Sequence, residues 1–335
     1  MDTEVIIIGG GPAGLLTAYH LKQFGVSSLI LEKKQPGQSW REMKDGMVML
    51  SPAAAQHDLT SLTFQNPIWS AVKLKGAFAT KEEFLDYLDI FIRENELAIK
   101  TESGVTKVAR MEGGFSIETE GGRKYEAPVV VVATGVIGNP NLPDIPGIRG
   151  NSRVIHSREY RTFESYRGQR VLIVGAGNSG AELTVELSGI SKVTLVTKDK
   201  LRFYSRTKDL SHIRGLSESL LKELVSFKII DLMEKVEVKE VKEGLVRFTD
   251  GTEKEFDRII FATGFRPFLP DFEDFPLKKA KSGYPLVTSN CESTSVKGIY
   301  FTGPLAHTNR YCSFIHCFRP MVEPMALHIA ESFGY

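Results

Sequence analysis

The sequence predicts an α/β protein of two doubly wound units, the second inserted into the first. Three observations carry that expectation. A strand, glycine-rich loop, helix and strand occur twice, once from Glu4 to Lys33 and again from Arg170 to Lys200. Each copy is followed by alternating, hairpin-like strands and then by an apolar strand ending in Ala-Thr-Gly, at Ala133–Gly135 and Ala262–Gly264. The last segment, from Gly298, opens on a short strand and closes in a helical pattern, as a return to the first unit requires.

Composition bounds what such a chain does. At 335 residues it has room for about two domains. Lys plus Arg number 42 and Asp plus Glu 41, a net charge of +1, which gives no electrostatic case for nucleic acid or an anionic membrane as partner. Hydrophobic residues make up 42% and charged residues 25%, as in folded globular proteins. Three cysteines do not build a disulfide scaffold, so a reducing, cytoplasmic location is expected. The longest purely apolar run, Val129–Ala133, is far below the ~18 residues that span a bilayer. Asp2 and Glu4 replace the basic start of a signal peptide, so none is expected. Boundaries are expected at 1–160 for the first part of one unit, 161–284 for the insert and 285–335 for the return. The Pro-, Asn- and Gly-rich stretches Gly138–Pro146 and Pro267–Pro276 read as hinges. Oligomeric state is not legible.

The elements follow in order. Val5–Ile8 is a continuous apolar run, as expected of a strand buried on both faces of a parallel sheet. Gly9, Gly11 and Gly14 have GxGxxG spacing, with Pro12 and Ala13 opening the helix. In that motif the first glycine makes a tight turn, the second lets backbone approach a pyrophosphate, and the third lets helix and strand pack closely. The helix N-terminus then offers free N–H groups and roughly half a positive charge to the phosphates. Leu29–Leu31 forms the next strand, ending at Glu32 and Lys33. Gly175, Gly177 and Gly180, with Asn178 and Ser179 between them, repeat the device, and there the second strand ends at Thr197 and Lys198. Two such loops imply two dinucleotides. A carboxylate at Glu32 accepts from a free ribose 2′-hydroxyl and repels a 2′-phosphate, whereas Lys198 suits a 2′-phosphate. The first site therefore reads as FAD and the second as NADPH, with NADH as the alternative.

Six ordered motifs resemble those of flavin-containing monooxygenases, and most of all their compact bacterial CzcO-like relatives. They are GGGPAG (Gly9–Gly14), GQSWR (Gly37–Arg41), ATGVIGNPNLPDIPG (Ala133–Gly147), IHSREY (Ile155–Tyr160), GAGNSGAE (Gly175–Glu182) and ATGFRP (Ala262–Pro267). The resemblance covers almost the whole chain and implies two Rossmann-like domains, an NADPH domain inserted into an FAD domain. It implies FAD contacts at Gly9, Gly11, Pro12, Ala13, Gly14, Glu32, Lys33, Gln38, Trp40, Val105, Ala133, Thr134, Gly135 and Gly303. NADPH contacts are implied at Gly175, Gly177, Asn178, Ser179, Gly180, Lys198 and Gly264. The implied activity is NADPH-dependent oxygenation of a small soft nucleophile, a sulfide or an amine, with O2 and through a flavin C4a-hydroperoxide. No metal is implied.

The chain also departs from the family pattern. Of the linker fingerprint Phe-x-Gly-x-x-x-His-Ser-x-x-Tyr it keeps His156, Ser157 and Tyr160 but has Gly150 and Ser152 at the first two positions. The asparagine that many members place beside the flavin is absent from Val48–Asp58, where Ser51 and Pro52 stand instead. That absence keeps open an NAD(P)H-dependent flavin reductase of a disulfide, quinone or protein acceptor, lacking its own redox-active cysteine pair. A redox sensor with negligible turnover is the third reading. Pocket candidates are Ser51, His57, His307 and Asn309. Cys312 and Cys317 read as inert structural thiols, Leu201–Gly215 as a solvated loop or a lid, and Pro320 and Pro324 as residues that start or kink the last helix.

Overall fold

The computed structural model describes residues 3–208, 212–273, 275–306 and 314–335. The chain divides into two compact units, Met1–Glu42 with Gly46–Asn139 and Arg266–Tyr335, and Met43–Asp45 with Pro140–Phe265. Along the chain, β1 (Val5–Ile8), α1 (Pro12–Gln23) and β2 (Ser28–Leu31) come first. Then follow α2 (Gln38–Arg41), β3 (Ala53–Ala54), β4 (His57–Asp58), α3 (Ile68–Ala71) and α4 (Lys81–Glu94). β5 (Ile99–Lys100), β6 (Val105–Met111), β7 (Gly114–Thr119), β8 (Lys124–Ala127) and β9 (Val129–Val132) close the first stretch. The second unit contributes β10 (Val154–His156), β11 (Arg170–Val174), α5 (Asn178–Ser188), β12 (Lys192–Thr197), α6 (Tyr204–Thr207) and α7 (Gly215–Ser226). It continues with β13 (Asp231–Glu234), β14 (Val238–Lys242), β15 (Leu245–Phe248), β16 (Glu253–Glu255) and β17 (Arg258–Phe261). The return brings β18 (Asp271–Glu273), β19 (Ile299–Phe301) and α8 (Ile315–Phe333).

Each unit is built on a five-stranded parallel sheet, in the order β19-β9-β1-β2-β5 in the first and β10-β17-β11-β12-β13 in the second. The doubly wound α/β expectation therefore holds. β1 and β9 are buried along their whole length, and Ile7 sits level with Ile30 on one side and Val131 on the other. Full burial of such aliphatic side chains contributes roughly 1.5–3 kcal/mol each. In the second sheet alternate residues serve opposite faces: Val171, Ile173 and Ile260 pack with Leu187 and Leu221, while Leu172, Ile259 and Phe261 pack with Val241 and Phe248. Small antiparallel sheets, β14-β15-β16 and β6-β7-β8 with β18 as a parallel edge, occupy the predicted hairpin positions. Among the described residues no helix is long and apolar enough to cross a membrane.

Two expectations need correction. The boundaries fall at 139/140 and 265/266, not at 160/161 and 284/285. β10 pairs with β17, Val154 level with Ile259, which commits Pro140–Tyr160 to the second unit. β18 pairs with β6, which commits the residues after Arg266 to the first. Composition does not encode such strand pairing. Pro320 and Pro324 both lie inside α8 and do not bound it. Spaced one turn apart, both prolines are exposed, so their rings take no place in the core contacts of the helix. The opposite face (Phe318, Val322, Met325, Ala326, Ile329) is buried and holds the helix.

His156 joins the start of the second unit to its last strand. Its Nδ1 accepts from the Arg158 N–H at 3.1 Å, so Nε2 carries the proton and donates to the Gly264 carbonyl at 3.0 Å. Burial lowers its pKa, against the opposing pull of Gly264 and Glu159. The imidazole is therefore neutral in the fold, while the unfolded chain takes up a proton below about pH 6.5. Its contribution to stability is then complete above that pH and is lost as pH falls from there through the lowered pKa of the folded state. His156→Asn is expected to be less stable than the native chain at pH 7.5, by about 1–3 kcal/mol. Urea titrations at intervals down to pH 5 should show the gap narrowing.

Candidate dinucleotide-binding sites

In the first unit the loop after β1 is shaped by backbone contact. Gly9 has φ +108°, and a Cβ there would lie 2.8 Å from the Ala133 carbonyl oxygen. A Cβ on Gly14 would run into the Gly9 carbonyl oxygen, closer than any side chain tolerates. Gly11 differs, because nothing of the protein lies within 4 Å of the Cβ it lacks. Gly11 caps α1 without a side-chain hydrogen bond, Pro12 takes the first turn, and no acidic residue stands there. The first and third glycines thus serve the fold, and the second leaves room for something else.

Around this loop the structure gathers residues far apart in sequence. Glu32, at the end of β2 and buried, accepts from the Gly10 N–H at 2.6 Å through Oε2 and from the Lys34 N–H at 3.0 Å through Oε1. Its carboxylate is thereby fixed beside the glycine loop. The Ala133–Gly135 turn after β9 is tied to the returning chain, where Thr134 Oγ1 donates to the Phe268 carbonyl and the Phe268 N–H to the Gly135 carbonyl at 3.2 Å. Gly303, with φ +63°, stands so close to Ala13 that a Cβ would be 2.9 Å from that methyl. The carboxyl ends of β1, β9 and β19 converge here, where open α/β sheets bind ligands.

Other predicted residues are placed as follows. Lys33 forms an ion pair with Glu120 at 2.6 Å, and Gln38 Nε2 donates to Glu42 at 2.9 Å. Trp40 packs edge-on against Phe84, ring centres 4.9 Å apart. Val105 begins β6 and is half-buried. Ser51 and His57 belong to the segment around β3 and β4, where His57 is exposed and the Ser51 carbonyl accepts from Thr60 Oγ1 at 2.9 Å. His307, Asn309 and Cys312 lie outside the described residues, and Cys317 is half-buried on α8.

The second unit repeats the geometry. Gly175 has φ +102° with the Ala262 carbonyl oxygen 2.6 Å from a would-be Cβ, Gly180 closes on the Gly175 carbonyl, and Gly177 is open. Asn178 Oδ1 accepts from the Arg214 N–H at 3.2 Å, Ser179 is exposed, and Gly264 is held by His156. Lys198 is exposed at the end of β12, and the neighbouring Asp199 is answered by Arg202 at 3.7 Å. Within the 201–215 segment, of which 209–211 lie outside the described residues, the described parts are packed and not a bare loop. Phe203 and Ile213 are buried against each other, and Glu218 of α7 accepts from the Ser205 N–H at 3.0 Å. Arg214 and Glu182 were missed by sequence reading. Burial lowers the pKa of Arg214 and raises that of Glu182, and each charge partly offsets the other's cost. A cleft of about 910 Å3 in this unit is lined by Arg170, Lys192, Asp231 and Phe256, at the amino ends of the strands and so away from the glycine loop.

Residues 6–303 match the sequence profile of the pyridine nucleotide-disulphide oxidoreductases. The chain belongs to that family. It is an oxidoreductase of the flavin- and pyridine nucleotide-dependent kind. It is 27% identical to the uncharacterized oxidoreductase CzcO of Bacillus subtilis, over 78% of this chain and 81% of that one. It is 30% identical to senecionine N-oxygenase of Tyria jacobaeae, over 80% of this chain and 59% of the relative. The fold is shared with the flavin-containing monooxygenase of Stenotrophomonas maltophilia (TM-score 0.85, 22% identity, all of both chains). It is likewise shared with the bacillithiol disulfide reductase Bdr of Staphylococcus aureus (TM-score 0.84, 23% identity, 99% of both). The resemblance carried by the six motifs is thus real at the level of family.

Both loops fit what this oxidoreductase family implies. Each has an open second glycine, an uncapped helix start and no acidic side chain in the first helical turn. Gly11→Ala should leave the melting temperature of the cofactor-free protein within a degree or two while weakening dinucleotide uptake by the first unit at least tenfold. Gly14→Ala, whose methyl has no room, should destabilise the cofactor-free fold itself by about 1–3 kcal/mol. Thermal unfolding with and without dinucleotide distinguishes the two effects.

Proposed function

We propose that the first unit holds FAD, the second NADPH, and that the pair oxygenates a small soft nucleophile, a sulfide or an amine. The observation that carries the nucleotide assignment is the contrast at the two strand ends. Glu32 is buried and fixed by backbone N–H groups, a fit for a ribose diol and a barrier to a 2′-phosphate. Lys198 is exposed, and the nearby Asp199 is engaged by Arg202, which leaves cationic character for a 2′-phosphate. NADH remains the alternative where that phosphate contact is weak.

Gly11 and Gly177 would admit the two pyrophosphates, and the starts of α1 and α5 would donate to them. Bound flavin supplies hydride acceptance from the nicotinamide and activation of O2. The chain's part is to bind, orient and exclude water. Sequence likeness to an N-oxygenase supports oxygenation. The rival is reduction of a disulfide, quinone or protein acceptor. The family's own description favours it, while the cysteines described, buried Cys291 and half-buried Cys317, form no disulfide.

The test is a balance sheet of products. FAD-loaded protein given NADPH, O2 and methyl phenyl sulfide or N,N-dimethylaniline should form sulfoxide or N-oxide in near-equal amount to the NADPH consumed. Hydrogen peroxide formed one for one with NADPH, whatever is added, overturns oxygenation. Oxygen-independent NADPH consumption driven by a disulfide or quinone supports the rival. Lys198→Ala should raise KM for NADPH about tenfold and leave KM for NADH unchanged.

A further inference from the structure

One cavity of the second unit belongs to neither dinucleotide site. The cleft of about 910 Å3 opens at the amino ends of β11, β12 and β13, where Arg170, Lys192 and Asp231 stand. The glycine loop after β11 and Lys198 after β12 lie at the opposite, carboxyl ends of the same strands. The cleft is large enough for a small organic molecule, since ligand clefts run to about 300–1,000 Å3.

Its lining is part apolar and part charged. Val193, Ile230 and Phe256 contribute buried side chains, and Ile229, 58% exposed, adds an apolar wall open to solvent. The charges do not cancel. Asp231 is paired with Lys254, and Glu255 with Arg170 at 3.1 Å, an arginine that also holds Asp257 at 2.9 Å. Both carboxylates of the lining are thus answered. Lys192 and Lys228 are exposed, and among the described residues neither ammonium group has a hydrogen bond or an ion pair. The cleft therefore presents apolar surface beside an excess of two positive charges.

The backbone roots one of these lysines at the wall. Lys228 follows α7 with φ +54°, and its N–H donates to the Val225 carbonyl at 3.2 Å. The next N–H, of Ile229, donates to the Leu224 carbonyl at 2.9 Å. Glycine is the usual residue in this helix close, because left-handed backbone crowds a Cβ. Here it carries a lysine instead, whose stem starts from a position set by those two hydrogen bonds. A bare inorganic anion would gain nothing from the apolar wall, and a neutral apolar molecule would leave both ammonium groups unanswered. A ligand with one anionic head on an apolar body uses both features.

We propose that this cleft binds a free amphipathic organic anion, a carboxylate, sulfonate or phosphate ester on an apolar body, independently of the two dinucleotides. The site does not depend on which reaction the flavin performs. The probes are 1-anilinonaphthalene-8-sulfonate and N-phenyl-1-naphthylamine, the same rings with and without the sulfonate. Both are titrated by fluorescence into FAD-loaded protein with NADP+ in excess, so that the dinucleotide sites are filled. One saturable site per chain is expected for the sulfonate. Lys192→Gln and Lys228→Gly should each weaken its binding about fivefold, and together about twentyfold, with the neutral probe unchanged. Lys228→Gly also relieves the left-handed backbone, so its melting temperature should equal or exceed that of the native chain, and its lost affinity is not lost fold. Added salt should weaken the sulfonate alone. Absence of a saturable site once NADP+ is in excess, sulfonate affinity unmoved by the double substitution, or equal losses for both probes overturns the proposal. Complete displacement of the sulfonate by millimolar inorganic phosphate marks a bare anion site and overturns it too.

Discussion

The constraint on which the rest depends is the close approach of a helix start to the strand before it. Gly14 rests on the Gly9 carbonyl, and Gly180 on the Gly175 carbonyl, at separations that exclude any Cβ. Because the helix begins so near the strand's end, its unpaired N–H groups project beyond the sheet edge and not into the core. The same turn brings Gly9 against Ala133 and Gly175 against Ala262, so the glycine loop and the Ala-Thr-Gly turn of the neighbouring strand are fixed together in each unit. One short-range steric condition therefore sets both the packing of the helix on the sheet and the place where a phosphate can sit.

Electrostatics then distinguishes two sites that sterics makes alike. Glu32 is held by two backbone donors, the Gly10 N–H of the loop and the Lys34 N–H just beyond β2, so its charge is presented at a fixed position. Lys198 is on a flexible, exposed stem. A buried, bonded carboxylate discriminates strongly because rejecting a phosphate needs only that it stay in place. On the proposed assignment a solvated ammonium discriminates less, which leaves the second nucleotide the less sharply specified of the two.

The prolines of α8 and the pairings of β10 and β18 show tertiary structure overruling local chemistry. A proline removes one helix hydrogen bond wherever it stands, yet two prolines on the solvent side of a helix whose other side is buried do not end it. The Pro-rich stretches, by contrast, do fall at the unit boundaries, 139/140 inside Gly138–Pro146 and 265/266 just before Pro267, while the long-range pairing of β10 and of β18 decides which unit the chain beyond each boundary joins.

The sequence by itself determined the two glycine loops, their order, the buried strands of both sheets and the opposite charges of Glu32 and Lys198. All of these are local, set by residues within about thirty positions of one another, where steric need and hydrophobic period are written directly into residue type. Tertiary structure alone decided that Lys33 is paired with Glu120, that Trp40 leans on Phe84, that Arg214 meets Asn178, and that Arg319 is seated between Asp58 and Phe64. Each of these joins segments that are neighbours only after folding, and a side chain's partner across such a distance depends on register and packing, which no single stretch of sequence carries.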